Sequence, residues 1–554
     1  MKKRILSLVI AFVMMACFLC SCGENVQSET VSDGSDKNSI TATNPLIWAD
    51  VPDPDVIRVG DTYYMVSTTM YFTPGVPIMK STDLVNWELI GYVYDTLENT
   101  PQTELYGDSN SYAQGSWAAS IRYYDGMFYV LFCAWDQGKS YIYMTEDIEN
   151  PDWERVEFNR VFHDASLFFD DDGTPYIIYG VGDVYIIELE KDCSAVKEGG
   201  VDQILLNSGI VDGLDGAEGS HFYKINDTYY LFMISYNTGV DGVARCELCY
   251  RCDELLGEYE GKMVLCDSMD YGSAGVAQGG IVETPEGDWY ALLFQDHGSV
   301  GRVPVLQPVT WVDGWAMMGS DEEAVSEITV LSDSDSWSTQ ESAVTSDDEF
   351  DYDEDSLSVY WQFNHNPDSN WSVTERSGWL RITTAKTVSD VFHAKNTLTQ
   401  RTYGPTCVSE VLLDTSGLNA GDYAGICAFQ SYAGLVGAYV DEDGNRYVYF
   451  ARQTRTEEQE IVSETLLEQD TVYLRIEYRF STVGEDGTIT TEDQARFYYS
   501  LDGEEWVKIG KSFNMTYSLD LFTGYRTALY CYSTFTSGGY ADFDYYHIFS
   551  SIED

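Results

Sequence analysis

The sequence predicts an all-β protein: a five-bladed β-propeller followed by a C-terminal β-sandwich of jelly-roll type. Three observations carry this. The 554 residues include 46 Gly, 42 Tyr and 13 Trp, and no long Ala/Leu/Glu/Lys tract runs through them, a composition that favours strands and turns over helices. A polar turn followed by a short aromatic strand ending in Tyr recurs five times between residues 44 and 325. Beyond residue 325 the repeat stops, and after a polar stretch alternating apolar and polar residues resume, the pattern of a second strand-built domain.

In chain order, Met1-Lys2-Lys3-Arg4 and the apolar run from Ile5 to Cys20 make a signal-peptide pattern, too short for a stable membrane span. Leu19-Cys20-Ser21-Cys22 resembles a bacterial lipoprotein box. It implies a signal over residues 1–21 and a secreted, cell-surface lipoprotein anchored by lipid on Cys22; cleavage and release is the alternative. Residues 22–43, rich in Ser, Thr, Asn, Asp and Gly, read as a flexible tether.

The five repeats follow over residues 44–325. They are Gly60-Asp61-Thr62-Tyr63-Tyr64, Asp125-Gly126-Met127-Phe128-Tyr129, Asp172-Gly173-Thr174-Pro175-Tyr176, Asn226-Asp227-Thr228-Tyr229-Tyr230 and Glu286-Gly287-Asp288-Trp289-Tyr290. Asp-Gly and Asn-Asp between apolar strands are hairpin signals. The final tyrosines lie 65, 47, 54 and 60 residues apart, the length of one four-stranded blade. A sandwich with repeated hairpins is the rival architecture, but five repeats at this spacing favour the propeller. Residues 326–346 read as a linker, and 347–552 as the sandwich, with segments such as Val472-Tyr473-Leu474-Arg475-Ile476-Glu477-Tyr478 alternating at the strand period.

Composition also limits partners. With 91 acidic and 31 basic residues the formal charge is −60, which excludes a nucleic-acid binder or a polybasic membrane-surface protein. Membrane contact is expected only through the lipid anchor. The 12 cysteines do not read as a disulfide framework. Cys246, Cys249 and Cys252 lie on a predicted strand, where positions three apart face opposite sides and cannot converge on one zinc ion; structural filling is their expected role.

The repeat places chemistry. Counting back 12 residues from Tyr129, Tyr176, Tyr230 and Tyr290 reaches Trp117, Asp164, Glu218 and Gln278, and 11 from Tyr64 reaches Asp53. These are equivalent positions near the innermost strands, so three carboxylates, an aromatic ring and an amide should meet around one funnel. Paired carboxylates suit glycoside hydrolysis, one protonating the leaving oxygen and the other activating water. A third raises the acid's pKa by like-charge repulsion. Holding a calcium ion is the competing use of such a funnel.

Around these residues the chain resembles glycoside hydrolase family 43. The likeness runs through Ala49-Asp50-Val51-Pro52-Asp53-Pro54-Asp55-Val56, Thr69-Met70-Tyr71-Phe72-Thr73-Pro74, Gly115-Ser116-Trp117-Ala118, His163-Asp164-Ala165-Ser166-Leu167-Phe168, Ala217-Glu218-Gly219-Ser220-His221-Phe222 and Val300-Gly301-Arg302-Val303-Pro304. The resemblance implies an inverting exo-glycosidase releasing xylosyl or arabinofuranosyl units from hemicellulose oligosaccharides (xylan, arabinoxylan, xyloglucan). In it Asp53 is the general base, Glu218 the general acid and Asp164 the carboxylate that tunes Glu218. Arg302, Trp117, Phe72 and Gln278 would bind substrate. Inversion requires an Asp53–Glu218 carboxyl separation of ~6.5–9.5 Å. Many members place a His where Gln278 stands, linked to a central ion, so no cofactor or metal is assigned, although a structural calcium is conceivable. His221 and His297 are expected to be structural. The second domain resembles the sandwich of multidomain members, whose loop closes the pocket with a Phe. Around Phe522-Thr523-Gly524-Tyr525-Arg526 the reading puts Arg526 at that place. Two non-catalytic readings compete, a carbohydrate-binding lipoprotein and an interaction scaffold; neither needs an acid/base set. The sequence is silent on oligomeric state and on which pentose is preferred.

Overall fold

A computed structural model describes residues 38–552 except 212–213, 215, 237–241, 333–342, 485–487, 491 and 519. The signal segment and Cys22 lie outside the described residues. The regular structure of those described is almost wholly strand; the helical segments among them are three single turns, Ser208–Ile210, Gly298–Val300 and Val391–His393.

Five antiparallel four-stranded sheets follow one another along the chain. The first blade is Asp55–Val59, Thr62–Val66, Gly75–Ser81 and Glu88–Tyr94; the others occupy residues 120–158, 166–207, 218–265 and 277–318. Each repeat Tyr lies on the second strand of its blade, for example opposite Ile57 for Tyr64 and opposite Tyr223 for Tyr230. The hairpins before these strands use left-handed residues, Asp125 at φ 48°, Asn226 at φ 50° and Asp227 at φ 65°, as the tight turns require.

Apolar faces of neighbouring blades pack together. Val66, Ile121 and Val130 fill the first interface, Leu131, Leu167 and Ile177 the second, Phe168, Phe222 and Leu231 the third, and Phe232, Ile281 and Leu293 the fourth. Val56, Met65, Leu292 and Leu306 close the ring between the last blade and the first. Around the axis, the innermost strands do not pair with one another, so their inward amides need other acceptors. The side chains of the preceding blade supply them: Asp55 Oδ2 accepts from Ile121 N at 2.9 Å, Ser120 Oγ from Leu167 N at 3.1 Å, Ser166 Oγ from Phe222 N at 3.0 Å and Tyr223 OH from Ile281 N at 3.1 Å.

The sandwich has two large sheets. One runs from Glu460–Leu466 through Arg446–Thr454, Tyr432–Val440, Asp422–Phe429, Arg526–Ser533, Leu398–Arg401 and Gln362–Asn364 to Phe72–Thr73. That last strand belongs to the propeller portion of the chain: Phe363 pairs with Thr73 and Asn364 with Phe72. The facing sheet contains Leu380–Thr383, Tyr540–Phe549, Thr406–Asp414, Thr471–Arg479 and Gln494–Ser500. Val472, Leu474 and Ile476, alternate residues of one strand, point into the core between the sheets.

Two segments differ from expectation. Residues 38–43, read as tether, form a strand paired with Glu327–Ser332, which was read as linker. Both are polar, yet Ile328 and Val330 are buried, and this apolar alternation is what anchors the ribbon. Cys246, on the strand Arg245–Cys252, forms a disulfide with Cys266, just past the neighbouring strand Glu260–Leu265 of the fourth blade. The ladder shifts register between Glu247 and Leu248, and such a shift is invisible to a count of cysteine spacings.

Candidate active site

Asp53, Trp117, Asp164, Glu218 and Gln278 all stand where the chain enters the innermost strands, beginning at Asp55, Ser120, Ser166, Glu218 and Ala277. Asp53, Asp164 and Gln278 share left-handed backbone, at φ 52°, 45° and 58°. A conformation uncommon outside glycine thus recurs at equivalent positions in three blades, and it turns the side chains toward one funnel.

Asp53 is held by Arg302, whose Nη1 donates to Oδ1 at 2.8 Å. Burial pushes the Asp53 carboxyl above its ordinary value, with the charges of Glu218 and Asp50 adding to the rise and Arg302 opposing it. Arg302 is fixed in turn. Its backbone amide donates to Asp50 Oδ1 at 2.8 Å, its Nη2 to the carbonyl of Phe522 at 3.1 Å, and its guanidinium lies 5.4 Å from the Phe294 ring centre. Gly301 has φ 104°, and a Cβ there would sit 2.2 Å from Asp50 Oδ1, so no other residue leaves this contact intact.

Glu218 belongs to a second group. Its Oε2 is hydrogen-bonded with His163 Nε2 at 3.0 Å, and its Oε1 accepts from the Tyr236 hydroxyl at 2.6 Å. His163 Nδ1 is 3.7 Å from Asp164 Oδ1. Burial would raise Glu218, but the bonds with His163 and Tyr236 outweigh it and leave the carboxyl below its ordinary value. Asp164, buried and facing both Glu218 and Asp53, is pushed up to about 7, with His163 opposing. Burial lowers the His163 imidazole, but Asp164 and Glu218 outweigh it and raise it. His163 thus stands between the two carboxylates, and its hydrogen bond to Glu218 opposes the rise that the charge of Asp164 would give. Donor atoms of His163, Asp164 and Glu218 all lie within 4.8 Å of one another, close enough to hold a cation or to share a proton. Sequence reasoning missed His163 as part of this set; its place directly before Asp164 was the available signal.

Trp117 is half-buried, its ring centre 5.4 Å from His163 and 5.4 Å from Phe522. Gln278 packs its amide over Gly219, where a Cβ would lie 2.6 Å from the amide carbon, and its backbone N–H donates to Glu247 Oε2 at 2.7 Å. Phe72 and Arg526 lie elsewhere. Phe72 is 0% and Arg526 2% exposed, with the guanidinium 3.8 Å over the Phe72 ring and Nη1 donating to Gln362 Oε1 at 2.9 Å. Both fill the seam between the lobes, and neither offers a surface to a sugar. The pocket edge expected at Arg526 is taken by Phe522, whose φ of 56° turns its ring onto Trp117. The two histidines set aside as structural are engaged: His221 Nδ1 with Asp55 Oδ1 at 3.1 Å, and His297 Nε2 with Gln295 Oε1 at 2.7 Å. Burial alone would raise Asp55, but Arg122 and His221 hold it down to about 2; it is an ionised pin of the axis rather than a reacting group.

A propeller funnel with two separately held carboxylates, an arginine on one and a histidine on the other, has the groups that glycoside hydrolysis uses. The comparisons agree. Residues 42–316 match Glycosyl hydrolases family 43, and residues 347–548 match the Beta xylosidase C-terminal Concanavalin A-like domain. The chain belongs to glycoside hydrolase family 43. It is 29% identical over 577 residues to a beta-xylosidase of Formosa agariphila, covering 94% of this chain and 92% of that one. It is 31% identical over 366 residues to a non-reducing end alpha-L-arabinofuranosidase of Bacteroides ovatus, covering 62% and 65%. Among solved structures, a bifunctional GH43-CE protein of Bacteroides eggerthii superposes with a TM-score of 0.85 at 43% identity. The match covers 93% of this chain but 64% of that longer protein.

Proposed function

We propose that this glycosidase is exo-acting and inverting, releasing terminal xylosyl or arabinofuranosyl units from hemicellulose oligosaccharides. The observation that carries the reading is the division of the two carboxylates, buried Asp53 with Arg302 and part-buried Glu218 with His163 and Tyr236. Inversion needs one carboxylate to take a proton from the attacking water while another protonates the leaving oxygen. Asp53 takes the base role: Arg302 engages Oδ1, leaving Oδ2 for the water. Glu218 takes the acid role, receiving its proton from His163 across their shared hydrogen bond when the sugar displaces water and removes the screening of these charges. Asp164 keeps a proton available to this cluster, which titrates as a unit. Trp117 and Phe522 supply an apolar wall for the terminal ring, and the Phe522 loop favours a blind pocket over a through-running groove, hence exo action.

The relatives' names supply both pentosides as candidates. Incubating the protein with nitrophenyl β-xyloside and nitrophenyl α-L-arabinofuranoside, and following the first-formed anomer by NMR, tests the reading. Release of the inverted sugar from either is the expected result; the retained anomer overturns inversion, and no release from either overturns the substrate class. We further propose attachment to the cell surface through Cys22, a reading supported by the sequence pattern of residues 1–22.

A further inference from the structure

We propose that Trp135 and Tyr236 form the platform that receives the leaving sugar, so that the enzyme prefers a second sugar ring over a small aglycone. This rests on the hydrolase reading above and deepens it. The group that protonates the leaving oxygen must come within about 2.6–3.2 Å of it, so the first atoms of the leaving group lie against Glu218. Two large aromatic side chains flank that carboxylate and remain open to solvent, Trp135 at 43% and Tyr236 at 40% exposure. Tyr236 touches Glu218 directly through its hydroxyl at 2.6 Å, and Trp135 reaches it through His163, 5.8 Å from ring centre to ring centre.

Neither ring is loose. Trp135 meets Trp117 at 5.9 Å and 60° and His163 at 63°, edge contacts that fix its plane. Its backbone N–H donates to Gly115 O at 3.2 Å. Tyr236 ends the strand Thr228–Tyr236, pairs with Arg245, and has the Arg245 guanidinium 5.5 Å from its ring centre. Arg245 is itself ion-paired with Asp296, so the rim offers no unpaired cation there and suits a neutral ligand. Two exposed, rigid aromatic rings beside the part-buried acid offer a surface on which a pyranose or furanose ring can lay its apolar C–H face.

The test compares two substrates with the same terminal sugar and alkoxide leaving groups, a disaccharide and the methyl glycoside, which lacks the second ring. Xylobiose and methyl β-xyloside serve, or the arabinofuranosyl counterparts. The wild-type preference for the disaccharide, as a ratio of kcat/KM values, is expected to fall about tenfold in Trp135→Ala and in Tyr236→Ala, and to recover in Trp135→Phe. A ratio unchanged by both alanine variants overturns the platform even if both rates drop. Failure of the wild type on all these glycosides overturns the hydrolase reading and the platform with it.

Discussion

Arg302 joins Phe522 to the base of the site. One guanidinium nitrogen donates to the Phe522 carbonyl at 3.1 Å while the other donates to Asp53 at 2.8 Å. A side chain of the propeller is thus aimed by a backbone group of the sandwich, and the planar fork of an arginine is what spans the two. Arg302→Lys, keeping the charge but losing the fork, should lower kcat/KM about 100-fold, the usual cost of a misplaced reacting group. Steady-state kinetics on the preferred nitrophenyl glycoside check this; a loss under threefold would remove Arg302 from the site.

Glu218→Gln should cost about 10²–10⁴-fold on an oligosaccharide, whose alkoxide must be protonated as it leaves, and far less on a nitrophenyl glycoside. Comparable losses on both substrates would mean that Glu218 is not the acid.

Asp50 latches the same loop from below. Its Oδ1 accepts the Arg302 amide and its Oδ2 the Gly524 amide at 3.0 Å. Asp50→Ala leaves two buried amides without acceptors, at about 1–3 kcal/mol each, and frees the Phe522 loop. Thermal melting should fall by several degrees, and KM should rise about tenfold as the sugar loses its wall. A lower melting point with unchanged KM would show that the latch serves stability alone.

Glu247 gives a pH-dependent prediction away from the reaction. It is fully buried, Oε1 has no partner, and burial lifts its carboxyl to about 8, with the Gln278 amide opposing. A raised folded pKa means the folded state binds the proton more tightly. Its contribution to stability is therefore full below the ordinary value of 4.5 and is lost as pH rises through about 8. Glu247→Gln removes this ionisation, so the variant should gain in melting temperature relative to wild type between pH 6 and pH 9. Parallel melting curves across that range would contradict it.

The repeat made much of the propeller legible, because each blade restates the same turn, aromatic strand and offset. The offsets that group Asp53, Asp164 and Gln278 correspond to one backbone conformation used three times. Glu218 and Trp117 followed from the same count. What local pattern could not show were contacts made across the chain. Phe522 and Arg526 lie four residues apart on one loop and strand, and only the pairing of Arg526 with Phe429 and Arg401 decides which faces the pocket and which the seam. Phe72 reads as an aromatic near the site until the sandwich strand at 362–364 covers it. Cys246 and Cys266 are joined by a register shift that no spacing encodes.

The strand Phe72–Thr73, the outermost member of an eight-stranded sheet otherwise drawn from the second lobe, has a consequence for how the gene can be cut. Removing residues beyond 346 would strip that strand of its partner and expose Phe72 to water. It would also leave Arg302 without the carbonyl that aims it. The lobes should therefore melt in one cooperative transition, and the first should be insoluble when expressed alone. A boundary drawn at residue 346 therefore separates two sequence segments but cuts through one continuous sheet.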